Sequence, residues 1–151
     1  MPTLPPEGEK IATRRSEIFQ RDWLPRLRPF PRTRELAERL RRDGLTLAVA
    51  SSAKEEELHL LLEVAQVADL IPTRTSSDDA ERSKPDPDIV QAAIQRTGCS
   101  KNRIVMIGDT PYDVEAAPRA GIRIIGVTCG GWKPEDLRGA TSRRLIRDRS
   151  W

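Results

Sequence analysis

Two acidic residues follow directly on a short apolar run in the C-terminal half of the chain. The run is Ile104 to Ile107, it ends at Gly108, and Asp109 and Asp113 come next, four positions apart. An apolar run of this length is typical of a buried parallel strand. Acids at the end of such a strand face the crevice where α/β sheets bind ligands. Their oxygens suit Mg²⁺, which takes one or two carboxylates and keeps several waters.

Both acids also have a structural interpretation. Asp109 after Gly108 is a common turn residue, and Asp113 is an acid that the dipole of a following helix would favour near its N-terminus. These two residues alone leave both interpretations open.

Two further groups of polar residues suggest a phosphoryl site. Ser51 and Ser52 follow the apolar run from Leu45 to Ala50, and Lys84 stands in the rigid Ser-Lys-Pro-Asp-Pro-Asp segment. A hydroxyl and the backbone N–H groups of a helix N-terminus cradle a phosphate oxygen. A lysine opposes the charge of a transferring phosphoryl group, and Mg²⁺ on the aspartates neutralises the rest. Alternatively, either serine is an ordinary N-cap and Lys84 an ordinary loop lysine.

The three segments, in this order and spacing, resemble motifs II, III and IV of the haloacid dehalogenase-like (HAD) hydrolase superfamily. The resemblance covers roughly residues 14–139 and points to phosphatases with a helical cap, of the phosphoglycolate phosphatase and beta-phosphoglucomutase type. It implies that Ser51, with Ser52, binds phosphate and that Lys84 stabilises the phosphate and the nucleophile. It also implies that Asp109 and Asp113 hold Mg²⁺, Asp109 as a direct ligand and Asp113 as a ligand or as its supporting partner.

One part of the family pattern is not found before Ser51. The first motif, a strand ending in Asp-x-Asp-x-Thr, supplies the nucleophilic aspartate, and neither Asp22 nor Asp43 fits it. We therefore expect a sheet that lacks the central nucleophile strand, with unpaired edges on the strands before Ser51 and Asp109. The expected causes are truncation, an alternative start or gene decay.

The remaining pattern predicts an α/β fold, a three-layer Rossmann-like parallel sheet, because helices alternate with apolar strands. A strand is expected at Ala68 to Ile71, followed by a polar loop to residue 83. The predicted divisions are a disordered leader (1–12), a remnant of the helical cap with its connector (13–31), a HAD-like core (32–139) and a basic tail (140–151).

Composition favours a cytoplasmic protein of one domain. The 151 residues carry a formal charge of +3 with a pI near 9.2, but arginines are spread along amphipathic helices, so nucleic-acid binding is unlikely. Cys99 and Cys129 are predicted to be free thiols, and His59 is predicted to lie at the surface. No apolar stretch is long enough for a membrane span.

These observations predict Mg²⁺-dependent hydrolysis of a small phosphorylated metabolite, with little turnover because the nucleophile is missing. The alternative is a non-catalytic remnant that binds phosphate and Mg²⁺ weakly or associates through an exposed sheet edge. A third, weaker alternative is a basic nucleic-acid binder.

Overall fold

Helices alternate with short parallel strands in the computed structural model, which describes residues 6–80, 82, 84–138 and 145–146. The elements are α1 (Pro6–Ile18), α2 (Thr33–Arg42), β1 (Ala48–Ala50), α3 (Glu55–Val64), β2 (Thr73–Thr75), α4 (Asp88–Thr97), β3 (Val105–Gly108), α5 (Pro111–Arg119), β4 (Arg123–Val127) and β5 (Leu145–Ile146). All the described strand pairs are parallel, which confirms the predicted α/β class.

The strands form two sheets in the described part of the chain. β1 pairs with β2, with Ala48 opposite Thr73, and β4 lies between β3 and β5, with Val105 opposite Arg123. No strand pairing joins β1 to β3 within the described residues. Each of these two strands therefore has an edge without a neighbouring strand there, as the sequence predicted.

β3 is buried on one face only, which differs from the expected buried strand. Val105 and Ile107 are 48% and 54% exposed, whereas Met106 on the opposite face packs against the core beside α5. Alternate residues of a strand point to opposite faces, so one side of β3 is covered and the other is open. Ile125, opposite Ile107 on β4, is half-buried and extends the open face.

β2 begins two residues after the end of the predicted strand at Ala68 to Ile71 and falls within the predicted loop. Its sequence Thr-Arg-Thr lacks the apolar run that marks a buried strand. Thr75 is nevertheless fully buried, and its hydroxyl donates to the carbonyl of Val49 on β1 at 2.9 Å. Burial of Thr75 is possible because its hydroxyl has a partner.

Two apolar clusters make up the core. One surrounds α5 and β4 and includes Ile89, Val90, Val114, Ile124 and Leu137. The other joins α2 to α3. α4 packs against β1 and β2 and also supplies Ile89 and Val90 to the first cluster, so it connects the two halves of the fold.

The predicted disordered leader is wrong over residues 6–12, which belong to α1; residues 1–5 lie outside the described ranges. Proline is tolerated at the first position of a helix, so Pro6 starts α1 despite the proline-rich composition. Arg15 of α1 donates to Glu57 on α3 at 3.2 Å, which is a contact between α1 and the rest of the fold.

The predicted basic tail contains a strand. Leu145 and Ile146 form β5, which pairs with Gly126 and Val127, while residues 140–144 and 147–151 lie outside the described ranges. The division into cap remnant and core stays a prediction. No helix in the described part of the chain combines the length and the apolar composition that a membrane span requires.

Candidate functional site

The lysine and one of the two aspartates singled out from the sequence form an ion pair. Lys84 Nζ donates to Asp113 Oδ1 at 2.6 Å and to the carbonyl of Ala50 at 3.5 Å. Ala50 ends β1, and Asp113 belongs to α5, directly after β3. Lys84 therefore links the carboxyl ends of the two sheets, where the sequence placed the site.

Asp113 is buried, and both of its carboxylate oxygens are engaged. While Oδ1 accepts from Lys84, Oδ2 accepts from the hydroxyl of Thr110 at 2.8 Å and from the Thr110 N–H at 3.1 Å. The Thr110 hydroxyl in turn accepts from the Asp113 N–H, which completes a capping box at the start of α5. The same Asp113 carboxylate thus caps the N-terminus of α5 and holds Lys84.

Gly108 allows Asp113 to approach the end of β3. A Cβ at this position would overlap the Asp113 side chain. Glycine is therefore required here by close contact, since any larger residue would push the carboxylate away from Lys84.

Asp109 differs from Asp113 in being half-buried and without a hydrogen-bond or ion-pair partner among the described residues. Its carboxylate lies against Gly130 in the turn Thr128–Gly130 that follows β4, and a Cβ on Gly130 would overlap it. Because β3 and β4 are parallel neighbours, their following segments meet at one edge of the sheet. The result is a carboxylate held in position by packing, with its oxygens available to a ligand.

Neither Ser51 nor Ser52 is a helix cap, so that alternative is wrong. α3 begins at Glu55 with Lys54 as its N-cap, and no side chain caps it. The Ser51 hydroxyl accepts from the Ala53 N–H at 3.1 Å, which shapes the turn after β1, and Ser52 is exposed. Ser51 lies next to Ala50, the residue whose carbonyl receives Lys84.

The acidic residues of the site can offer Mg²⁺ one available carboxylate. Asp109 offers an available carboxylate, and Asp113 stands four residues on with its charge matched by Lys84. Within the described ranges, no group of three or more acidic, histidine or cysteine side chains could hold a metal. One carboxylate with several waters is nevertheless a usual Mg²⁺ arrangement.

The loop that carries Lys84 contains a second, weaker electrostatic contact. Arg82 donates to Asp86 at 3.4 Å. Partial burial raises the pKa of Asp86, but hydrogen bonds from Asp88 and Arg82 outweigh that effect and hold the pKa below its usual value. His59 is exposed beside Glu63, as predicted.

Two site residues were not identified from the sequence. Thr110 with Asp113 fits the Thr-x-x-Asp signature of a capping box, so the sequence carried a usable signal for it. Gly130 stands in a Gly-Gly pair that indicates only a turn, because its contact with Asp109 depends on the pairing of β3 with β4.

Comparisons with known proteins agree with this geometry. A family model described as haloacid dehalogenase-like hydrolase matches residues 6–127. Pyrophosphatase PpaX of Bacillus velezensis is 29% identical over 93 residues, which are 62% of this chain and 43% of that protein. Phosphoglycolate phosphatase of Pseudomonas putida is 27% identical over 101 residues, 67% of this chain and 37% of that protein. The chain spans less than half the length of these two relatives.

A solved structure gives the same fold. The crystal structure of a hydrolase from Pseudomonas syringae superposes with a TM-score of 0.87 at 25% identity, covering 97% of this chain and 67% of that one. The predicted Rossmann-like architecture is thereby confirmed.

Removing Lys84 from its pair with the buried Asp113 should destabilise the fold. Lys84→Met leaves a buried carboxylate without its cation, and we expect a loss of roughly 3 kcal/mol in the free energy of unfolding, measured in urea. Adding Asp113→Asn should recover part of the loss, because the unmatched charge is removed.

Arg82→Met is the matched control, since Arg82 pairs with Asp86 at the surface and should cost less than about 1 kcal/mol. Equal losses for Lys84→Met and Arg82→Met would contradict the role given to the buried pair.

Proposed function

Because the chain belongs to the haloacid dehalogenase-like hydrolase family, we propose that its site binds the phosphoryl group of a small phosphomonoester together with Mg²⁺. The observation that carries this proposal is the 2.6 Å contact between Lys84 and Asp113, which fixes a cation at the carboxyl ends of both sheets. A phosphatase and a pyrophosphatase among the relatives support a phosphorylated substrate.

Each residue has a distinct part in this proposal. Lys84 supplies positive charge to the phosphoryl oxygens, and Asp113 keeps its ammonium group from turning into solvent. Ser51, assisted by Ser52, offers a hydroxyl beside the end of β1. Asp109 would hold Mg²⁺, which on binding would neutralise further negative charge on the phosphoryl group.

The nucleophile is the part that these residues do not provide. The family resemblance implies that the nucleophilic attack comes from an aspartate of the Asp-x-Asp-x-Thr segment. The residues before Ser51 do not contain such a segment. Lys84, Ser51 and Asp109 can bind and orient a phosphoryl group, but aspartyl-phosphate formation needs the carboxylate itself. Loss of the central member of a concerted site leaves only residual catalysis.

We also propose that the protein is located in the cytoplasm.

The 151-residue chain should therefore bind but scarcely hydrolyse. With p-nitrophenyl phosphate and Mg²⁺, we expect release of nitrophenol close to that of a Lys84→Met control. Robust Mg²⁺-dependent turnover that Lys84→Met abolishes would show that a nucleophile is present and would overturn this part of the proposal.

Gly130→Ala should weaken Mg²⁺ binding, because the added Cβ would displace the Asp109 carboxylate. We expect a fall in Mg²⁺ affinity of roughly tenfold, measured by isothermal titration calorimetry, and a larger fall for Asp109→Asn.

Gly131→Ala is the matched control. Gly131 has a φ of +81° with nothing within 4 Å of an added Cβ, so this variant should lose roughly 1 kcal/mol of stability and keep its Mg²⁺ affinity. Equal effects of the two variants on Mg²⁺ binding would argue against Asp109 as the ligand.

Self-association of the chain is the second candidate, because β1 and β3 have edges without a neighbouring strand in the described part of the fold. The open face of β3 adds exposed apolar surface at Val105 and Ile107. A second copy of this chain could pair one of its own strands with such an edge and cover Val105 and Ile107 with its surface.

Ile107→Lys should then weaken association, since it places a charge in the middle of the open face. Sedimentation equilibrium is expected to show concentration-dependent association that Ile107→Lys reduces and Leu36→Lys, on the exposed side of α2, does not. A clean monomer at all concentrations would remove this candidate.

A further inference from the structure

Two aromatic side chains stand at the edge of the site without a part in the functions proposed above. Tyr112 and Trp132 have ring centroids 6.3 Å apart and an interplanar angle of 86°. Both are exposed, by 50% and 40%. Such an edge-to-face pair is a stable arrangement that presents apolar surface to whatever lies beside it.

The chain path places both rings near the two aspartates. Tyr112 is in the first turn of α5, between Asp109 and the buried Asp113. Trp132 follows the turn Thr128–Gly130, in which Gly130 touches the Asp109 carboxylate. Because two residues of chain span at most about 7 Å, Trp132 cannot lie far from that carboxylate.

The aromatic pair supplies the apolar surface that the polar part of the site lacks. Lys84 and Asp113 are largely buried, and their charges match each other. Asp109 is available to a cation. A phosphate ester bound by these groups must extend its leaving group outward, and the two rings are exposed apolar surface at the same sheet edge.

We propose that Tyr112 and Trp132 form a wall against which the leaving group packs, so that the site prefers phosphate esters carrying a flat apolar group, such as an aryl or heteroaryl ring. The HAD-like core, and not a cap, would set this substrate preference. The inference rests on the proposed phosphoryl site. Pyrophosphate and phosphoglycolate, the substrates that the relatives' names give, lack such a ring.

The test compares two phosphonates that cannot be hydrolysed, phenylphosphonate and methylphosphonate, by isothermal titration calorimetry with saturating Mg²⁺. We expect phenylphosphonate to bind roughly tenfold tighter. Trp132→Ala should abolish this difference and leave the affinity for methylphosphonate unchanged. Trp132→Phe, which keeps a ring, should retain most of it.

Trp23→Ala is the matched control, because Trp23 is an exposed tryptophan at the end of the helical turn Phe19–Trp23, which follows α1, and its ring lies under the Arg26 guanidinium. It should leave both affinities unchanged. Circular dichroism of each variant checks that it is folded.

The outcomes separate this inference from the function on which it rests. Equal affinities for the two phosphonates, or equal losses of both in Trp132→Ala, would overturn the aromatic wall while leaving the phosphoryl site in place. Failure of methylphosphonate to bind, or to be displaced by inorganic phosphate, would overturn the phosphoryl site and the wall with it.

Discussion

The contact between Lys84 and Asp113 is the interaction on which the arrangement of this molecule depends. No strand pairing joins β1 to β3 in the described part of the fold, so backbone hydrogen bonds do not align them there. The ion pair does so instead, because Lys84 also donates to the last carbonyl of β1. A buried ion pair adds little net stability but imposes strict geometry, since any displacement leaves a charge unmatched.

The two aspartates have different roles because their surroundings differ. Asp113 lies against a glycine, completes a helix cap and neutralises a lysine, so its oxygens are fully used by the protein. Asp109 is fixed by contact with Gly130 and has no polar partner among the described residues. One carboxylate therefore organises the site and the other is available to a ligand, although only four positions separate them in the sequence.

The sequence predicted the elements whose side chains repeat clearly and missed those that depend on tertiary contacts. The apolar runs predicted β3 and β4, and the motif spacing predicted that Lys84 and Asp113 belong to one site. β2 was missed because Thr75 is buried with its hydroxyl donating to the carbonyl of Val49, a tertiary contact that no local pattern reveals. The start of α1 was missed because prolines near a terminus indicate a loop, whereas Pro6 opens a helix. The contact between Gly130 and Asp109 requires knowledge of which strands are neighbours.

The position of α4 has a consequence for how the chain folds. β1 and β2 come from residues 48–75, and β3 and β4 from residues 105–127, so each sheet assembles from one continuous segment with short loop closures. Each half has its own apolar cluster and is suited to act as a separate cooperative unit. α4 lies between them in sequence and packs on both, so opening of either half should also deprive α4 of packing and increase hydrogen exchange at its amides.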